Sequence, residues 1–132
     1  MNIENILKEY NKSITKERID IFSFISEKHL FSANDLILKF GNLGRASIFR
    51  TINLFLEIGI IRKISFGERS ENYEIVNDDE NHHEHMKCEK CSKIINFNSD
   101  NICKKILSEA SNIGFKVKDH SISIIGTCKN CL

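Results

Sequence analysis

The chain has 132 residues, of which 41% are hydrophobic and 28% are charged. This length allows one compact domain or two small ones and excludes a large multidomain enzyme. Since 19 Lys and Arg residues balance 18 Asp and Glu residues, net charge alone does not indicate a nucleic-acid-binding protein. No apolar stretch approaches the roughly 20 residues of a membrane span, and the N-terminus lacks the signal-peptide pattern, so we expect a cytoplasmic protein.

Two helices are predicted before residue 41. Ser32 and Asp35 have the spacing of an N-cap residue and an acidic residue in the first turn, so they mark the start of the second helix. The first helix follows Thr15, and its apolar residues have helical spacing: Ile14, Ile19, Phe22 and Ile25.

A third helix is predicted over residues 45–58, and Gly59 is a typical C-terminal signal for it. Its predicted core face comprises Ile48, Ile52, Phe55 and Leu56. The opposite face carries Ala46, Phe49, Arg50, Asn53 and Glu57. Two β-rich runs, 60–66 and 71–76, flank a turn at 67–70 and predict a hairpin. Three helices followed by a hairpin are the order of a winged helix-turn-helix.

The polar segment 77–81 predicts a boundary between an N-terminal domain, 1–77, and a C-terminal domain, 78–132. Strands are predicted over 82–86, 94–97 and 115–125, around a helix over 99–113. The apolar face of that helix comprises Ile102, Ile106, Ala110 and Ile113. The expected fold class is therefore α+β. Because the second domain is small, we expect it to need a metal, a partner subunit or both.

Two C-x-x-C pairs, Cys88 with Cys91 and Cys128 with Cys131, indicate chemistry at their thiols. Four thiolates form the closed tetrahedral shell of structural zinc, which would join the two ends of the second domain. The alternatives are buried unliganded thiols or a dithiol redox switch. Cys103 stands alone on a predicted helix, where a single Cys is usually a small core residue.

A histidine-rich segment precedes the first Cys pair. In an extended segment, His83 and His85 share one face, while His82 and Glu84 share the other. Imidazole and carboxylate groups suit divalent ions such as Fe²⁺, Mn²⁺, Co²⁺ and Zn²⁺, whereas the alternative is a solvated polar strand. The additional ligands considered are Glu74 for the first face, and His120 and Cys103 for the second.

The sequence resembles the ferric uptake regulator family of metal-responsive repressors. The resemblance covers nearly the whole chain and rests on residues 44–54, 82–91, 114–121 and 126–131. It implies a homodimer with an N-terminal winged-helix DNA-binding domain and a C-terminal dimerisation domain. It also implies that Cys88, Cys91, Cys128 and Cys131 form the structural zinc site.

The same resemblance implies two further metal sites. The regulatory site between the domains would use Glu74, His83 and His85 together with a further histidine. The family position of that histidine corresponds to Leu30 in this sequence, and His29 is the adjacent residue. The additional site would use His82, Glu84, His120 and a helix position that here is Cys103. Cys103 makes this site softer and more zinc-like. Asn96 stands where some members carry an acid, which argues against the peroxide-sensing subgroup.

The DNA-binding residues are predicted on and around the third helix. Arg50 is expected to contact a guanine base and Phe49 a thymine methyl group. Phosphate contacts are expected from Arg45, Lys12, Lys16 and Arg18, although each could be an ordinary surface charge. The predicted interface also includes Ser47 and Asn53.

The predicted function is metal-dependent repression of metal-homeostasis genes, with metal as the corepressor and a pseudo-palindromic operator on double-stranded DNA. Iron is the expected metal, zinc is the alternative, and manganese is possible. A thiol or peroxide redox sensor is a second alternative. A metalloenzyme is not expected, because the sequence has no helical H-E-x-x-H motif or nucleophile elbow.

Overall fold

The computed structural model describes residues 2–67, 71–76, 84–97, 100–118 and 120–132. The chain forms two compact units, Met1–Asn77 and Asp78–Leu132, each with its own sheet. Within the described ranges, no helix has the length and apolar character that crossing a membrane requires.

The described residues of the first unit form four α-helices and a short 3-10 turn at Gly41–Leu43. The helices are α1 (Ile3–Glu9), α2 (Lys16–Lys28), α3 (Ala33–Lys39) and α4 (Arg45–Glu57). The predicted starts of α2 and α3 are confirmed: Thr15 caps α2, and Ser32 forms a capping box with Asp35. The prediction of only two helices before residue 41 was wrong, because it missed α1. Ile14 precedes the cap of α2 and is exposed.

Burial of Ile3 and Leu7 holds the seven-residue helix α1 on the core of the first unit. Full burial of such a side chain stabilises the fold by roughly 1.5–3 kcal/mol, which a helix this short needs because it is marginal by itself. The most deeply buried core residues are Leu7, Ile21, Ile25, Leu36, Ile48, Ile52 and Phe55.

The α4 helix has the two faces that its sequence predicts, except that Leu56 is only half-buried. Thr51 and Leu54 are buried beside the predicted core residues, so the core face is broader than expected. The helix ends where Gly59 adopts a φ of 78°, a left-handed conformation that glycine tolerates best.

A three-stranded antiparallel sheet completes the first unit, in the order β1-β3-β2. Its strands are β1 (Leu30–Ser32), β2 (Ile61–Ile64) and β3 (Asn72–Ile75). The predicted hairpin is confirmed as the β2 and β3 pair, whereas β1 is an additional strand. Helices followed by this hairpin give the predicted winged-helix arrangement.

In the second unit, the part of the chain that the structure describes forms a three-stranded sheet in the order β5-β4-β6 and one helix, α5. Its elements are β4 (Glu84–Cys88), β5 (Ile94–Asn96), α5 (Asp100–Asn112) and β6 (Ile122–Gly126). β4 pairs antiparallel with β5 and parallel with β6. The strand predicted over 115–125 was too long: after Gly114 the chain leaves α5 through a turn and joins the sheet only at Ile122.

The predicted apolar face of α5 is largely exposed in the single chain, where Ile113 is 83% exposed and Ile102 and Ile106 are partly exposed. Instead, Cys103 is the buried residue of this helix. Ile124 and Ile125 on β6 are also exposed. The unit therefore leaves much apolar surface uncovered, as expected of a domain that associates with another subunit.

Candidate metal centres and nucleic-acid interface

The four cysteines of the C-x-x-C pairs come together in the second unit, and their sulfur atoms all lie within 4.8 Å of one another. Cys88 is the last residue of β4, and Cys128 lies just beyond β6, which runs parallel to β4. The Ser92 amide donates to the Cys88 carbonyl at 2.9 Å, and the Cys131 amide donates to the Cys128 carbonyl at 2.9 Å. These turns bring the two thiols of each C-x-x-C pair close together.

The electrostatics of this cluster favour a cation. The Cys128 amide donates to the Cys88 sulfur at 3.3 Å, and this hydrogen bond, together with those from the Cys91 and Lys90 amides, lowers the pKa of the Cys88 thiol to about 6. In contrast, the side chains of Cys128 and Cys91 raise the pKa of Cys131 to about 12. Thiolates crowd one another without a counter-charge, and a divalent ion reverses this effect. The donor set fits structural zinc.

A second cluster contains Glu84, Cys103 and His120, whose ligand atoms also lie within 4.8 Å of one another. The Cys103 thiol donates to Glu84 Oε1 at 2.9 Å, and His120 Nε2 lies 3.1 Å from the Cys103 sulfur. β4 supplies the carboxylate, α5 the thiol, and the segment before β6 the imidazole. His82, the fourth residue predicted for this site, lies outside the described residues.

The chemistry of this second cluster fits a divalent ion with borderline softness. It combines one hard oxygen donor, one imidazole and one thiol, and both Glu84 and Cys103 are buried. Zn²⁺ accepts this mixed donor set, and imidazole also suits Fe²⁺, whereas Mn²⁺ prefers oxygen donors. The thiol proton that now bonds Glu84 would leave when metal binds.

His85 has a partner that orients its ring. His85 Nδ1 lies 2.6 Å from Asn96 Oδ1, and the two residues face each other across β4 and β5. Because the amide oxygen is an acceptor, this contact requires a proton on Nδ1, and in the neutral ring the lone pair is then on Nε2. Metal-binding imidazoles are commonly held in this way. The sequence alone does not indicate this role for Asn96, because the contact depends on the strand register. His83 lies outside the described residues.

Glu74 of the predicted regulatory site lies on β3 in the first unit, where Arg62 Nε is 2.9 Å from Glu74 Oε1. The register places Arg62 opposite Glu74 on one side and Leu30 opposite it on the other. His29 is exposed at the end of α2, one residue away from the position that pairs with Glu74. The sequence pattern did not indicate Arg62 as a partner of Glu74.

The exposed face of α4 carries the residues predicted to contact bases. Arg50 Nη2 donates to Ser47 Oγ at 3.0 Å, which orients the guanidinium along the helix surface. Phe49 is partly exposed, and Arg45 and Asn53 are exposed. This face has the composition that major-groove recognition requires: a guanidinium, an amide and an apolar ring.

The other basic residues predicted to bind phosphates make intramolecular contacts. Lys12 Nζ lies 3.8 Å from Glu57 Oε1, and Lys16 Nζ lies 3.2 Å from Asp20 Oδ2. Arg18 Nη1 donates to the Ser13 carbonyl at 2.6 Å and to the Ser13 hydroxyl at 3.0 Å. Arg18 therefore stabilises the turn before α2, whatever its role toward DNA.

A winged-helix unit and an α+β unit with two candidate metal clusters together define the class of metal-dependent transcription regulators. The sequence profile described as the Ferric uptake regulator family matches residues 9–125. The chain belongs to this family, whose members are metal-responsive transcription regulators, and the family predicted from the sequence is confirmed.

Individual relatives agree with this assignment. The ferric uptake regulation protein of Campylobacter jejuni is 38% identical over 90 residues, which span 68% of this chain and 56% of that protein. The peroxide operon regulator of Bacillus subtilis is 29% identical over 130 residues, which span 95% of this chain and 88% of that protein. The crystal structure of the Vibrio cholerae ferric uptake regulator has a TM-score of 0.84 and 26% identity, and the match covers 96% of this chain and 100% of that chain.

Proposed function

We propose that this protein is a metal-dependent, DNA-binding transcriptional repressor that acts as a homodimer in the cytoplasm. The observation that carries the proposal is the Glu84, Cys103 and His120 cluster, a second donor set beside the four-cysteine cluster in a regulator of this fold. One site is then available for a structural metal, and the other for a regulatory metal that binds when its concentration in the cell is sufficient. The role is regulation by binding, as in the rest of the family, rather than catalysis.

The structural site is the four-cysteine cluster. Bound zinc would supply a cross-link between the end of β4 and the segment after β6, and this unit is too small to bury a sufficient core alone. The exposed Ile113, Ile124 and Ile125 give the same unit an apolar surface for a second copy of the chain. Structural zinc and dimerisation thus stabilise the same unit.

The regulatory mechanism is linkage between metal binding and DNA binding. A ligand with higher affinity for one arrangement of the DNA-binding units shifts the population toward that arrangement. In a twofold dimer, the favoured arrangement would present two copies of α4 to successive major grooves of a pseudo-palindromic operator. A coupling free energy of roughly 1–3 kcal/mol changes operator affinity about 5- to 150-fold.

Two metal sites contribute to this linkage in the proposal. The first is the Glu84, Cys103 and His120 cluster, with His82 as a further ligand. The second is the interdomain set of Glu74, His83 and His85 that the family resemblance implies, with the neighbouring His29 as the further histidine. Asn96 supports a ligand role for His85, because its amide holds the ring in the tautomer that binds metal through Nε2.

On DNA, Arg50 would bond a guanine, Phe49 would contact a thymine methyl group, and Ser47 would keep Arg50 extended. Asn53 lies on the same exposed face, where its amide suits an adenine edge. Phosphate contacts fall to Arg45, Lys12, Lys16 and Arg18. Those of Lys12 and Lys16 would replace ion pairs of the free protein with Glu57 and Asp20.

Iron is the first candidate for the regulatory metal, because the Campylobacter relative is a ferric uptake regulation protein. Zinc is the second candidate, and a specific observation favours it: Cys103 supplies a thiol to the regulatory cluster. Manganese suits the interdomain set better than the thiol-containing one.

A gel-shift titration tests the proposal. Protein that retains structural zinc but has lost other metal is titrated with Fe²⁺, Zn²⁺ and Mn²⁺ in turn, on a duplex selected from a random pool in the presence of metal. We expect at least one ion to raise operator affinity within the 5- to 150-fold range. Equal affinity with and without every ion would refute the proposed function.

A further inference from the structure

Glu74 has an unusual environment for a metal ligand. Its side chain is only 10% exposed, and that of Arg62 is 27% exposed, with 2.9 Å between Arg62 Nε and Glu74 Oε1. Both residues belong to the same antiparallel pair of strands, in direct register. The contact is therefore held by the sheet and is not a chance meeting of two flexible surface chains.

The physical reason for the pair is the desolvation of Glu74. A buried carboxylate needs a counter-charge, which a bound cation or a basic side chain can supply. On the other side of Glu74, its partner in the sheet is Leu30, which offers neither charge nor a ligand. Arg62 therefore supplies positive charge to Glu74 without metal.

We propose that Arg62 is a resident cation that competes with divalent metal for Glu74. A metal that binds this carboxylate either displaces the guanidinium or lies beside it against electrostatic repulsion. Metal affinity at Glu74 is thereby lower than it would be without the guanidinium. This inference rests on the proposed function only in taking Glu74 as a metal ligand.

Manganese is the probe that isolates this effect, because Mn²⁺ prefers carboxylate oxygen to thiolate. Full-length protein with structural zinc is titrated with Mn²⁺, and free Mn²⁺ is measured by electron paramagnetic resonance. We expect Arg62→Met to bind Mn²⁺ about tenfold more tightly than the wild type, because one positive charge next to the site is removed. The double variant with Glu74→Gln should lose this gain.

Lys63→Met is the matched control. Lys63 is the next residue on β2, is exposed and pairs with Glu71, so the variant loses the same charge from the same strand without touching Glu74. It should bind Mn²⁺ as the wild type does. Thermal melts by circular dichroism check folding, and Arg62→Gln replaces Arg62→Met if the latter is unfolded.

Three results would overturn the inference: no gain in a folded Arg62 variant, an equal gain in Lys63→Met, or a gain that survives Glu74→Gln. Because Mn²⁺ binding is measured without DNA, failure of the proposed function is seen separately. If no metal raises DNA affinity but Arg62→Met gains Mn²⁺ through Glu74, then the competition stands and the repressor mechanism fails.

Discussion

Replacing Cys103 with Ser tests whether the thiol of the second cluster binds the regulatory metal. Cys103 is 1% exposed and donates to Glu84 Oε1 at 2.9 Å, and a serine hydroxyl of similar size retains a donor at that point. The free energy of unfolding should therefore change by less than about 1 kcal/mol. Metal affinity should fall much more, because a soft thiolate is replaced by a weakly binding hydroxyl.

The magnitude follows from the number of ligands. Loss of a partner that only orients a ligand typically lowers metal affinity about 10- to 100-fold, so loss of a ligand itself should lower it about 100-fold or more. Cobalt is a suitable probe, since Co²⁺ bound to thiolate has a charge-transfer absorption that a site with only nitrogen and oxygen lacks. Zinc-replete Cys103→Ser should lose this band and the metal response in gel shifts.

The control variant is Ser108→Ala, an exposed change on the same helix, and it should retain both signals. A ligand role for Cys103 would be refuted if Cys103→Ser bound cobalt with the affinity of the wild type and kept its full metal response. A variant that lost the response but also melted well below the wild type would point to a packing role for Cys103.

Three more predictions follow from the other sites. The double variant Cys88→Ser, Cys91→Ser should release zinc and weaken the dimer, because the small unit loses its cross-link. Sedimentation combined with zinc analysis measures both effects, and an intact dimer without zinc would contradict the prediction. Arg50→Ala should weaken specific DNA binding by about 1–3 kcal/mol with little effect on a random duplex, and an equal loss on both would assign Arg50 to phosphate contact. Burial, with a hydrogen bond to Glu71, raises the pKa of Tyr73 to about 12. Since the folded pKa is above the ordinary value of 10, the contribution of the neutral Tyr73 hydroxyl to the free energy of unfolding is present below pH 10 and is lost as pH rises through 12. Thermal melts of Tyr73→Phe should therefore show a smaller loss of stability over that range than melts of the wild type.

The sequence by itself determined the features that depend on spacing along the chain. Local patterns predicted the caps at Thr15 and Ser32 and most of the core face of α4. They also predicted the tight turn within each C-x-x-C pair, but the two pairs meet only because β4 and β6 are parallel neighbours. Local patterns suffice here because caps and turns join residues three or four positions apart. The same reasoning missed α1, which is too short to show its periodicity and is held by tertiary burial.

Only the tertiary structure decided which distant residues are partners. The contacts of Arg62 with Glu74 and of Asn96 with His85 join neighbouring strands, and a shift of one residue in register would turn these side chains to opposite faces. The sequence marked Cys103 as an ordinary core residue by pattern and as a ligand by family resemblance, and the fold placed its thiol between Glu84 and His120. Strand register and helix packing determine these contacts between distant residues. The free energy that favours one register or packing over another comes from burial over the whole unit, so a short stretch of sequence does not reveal it.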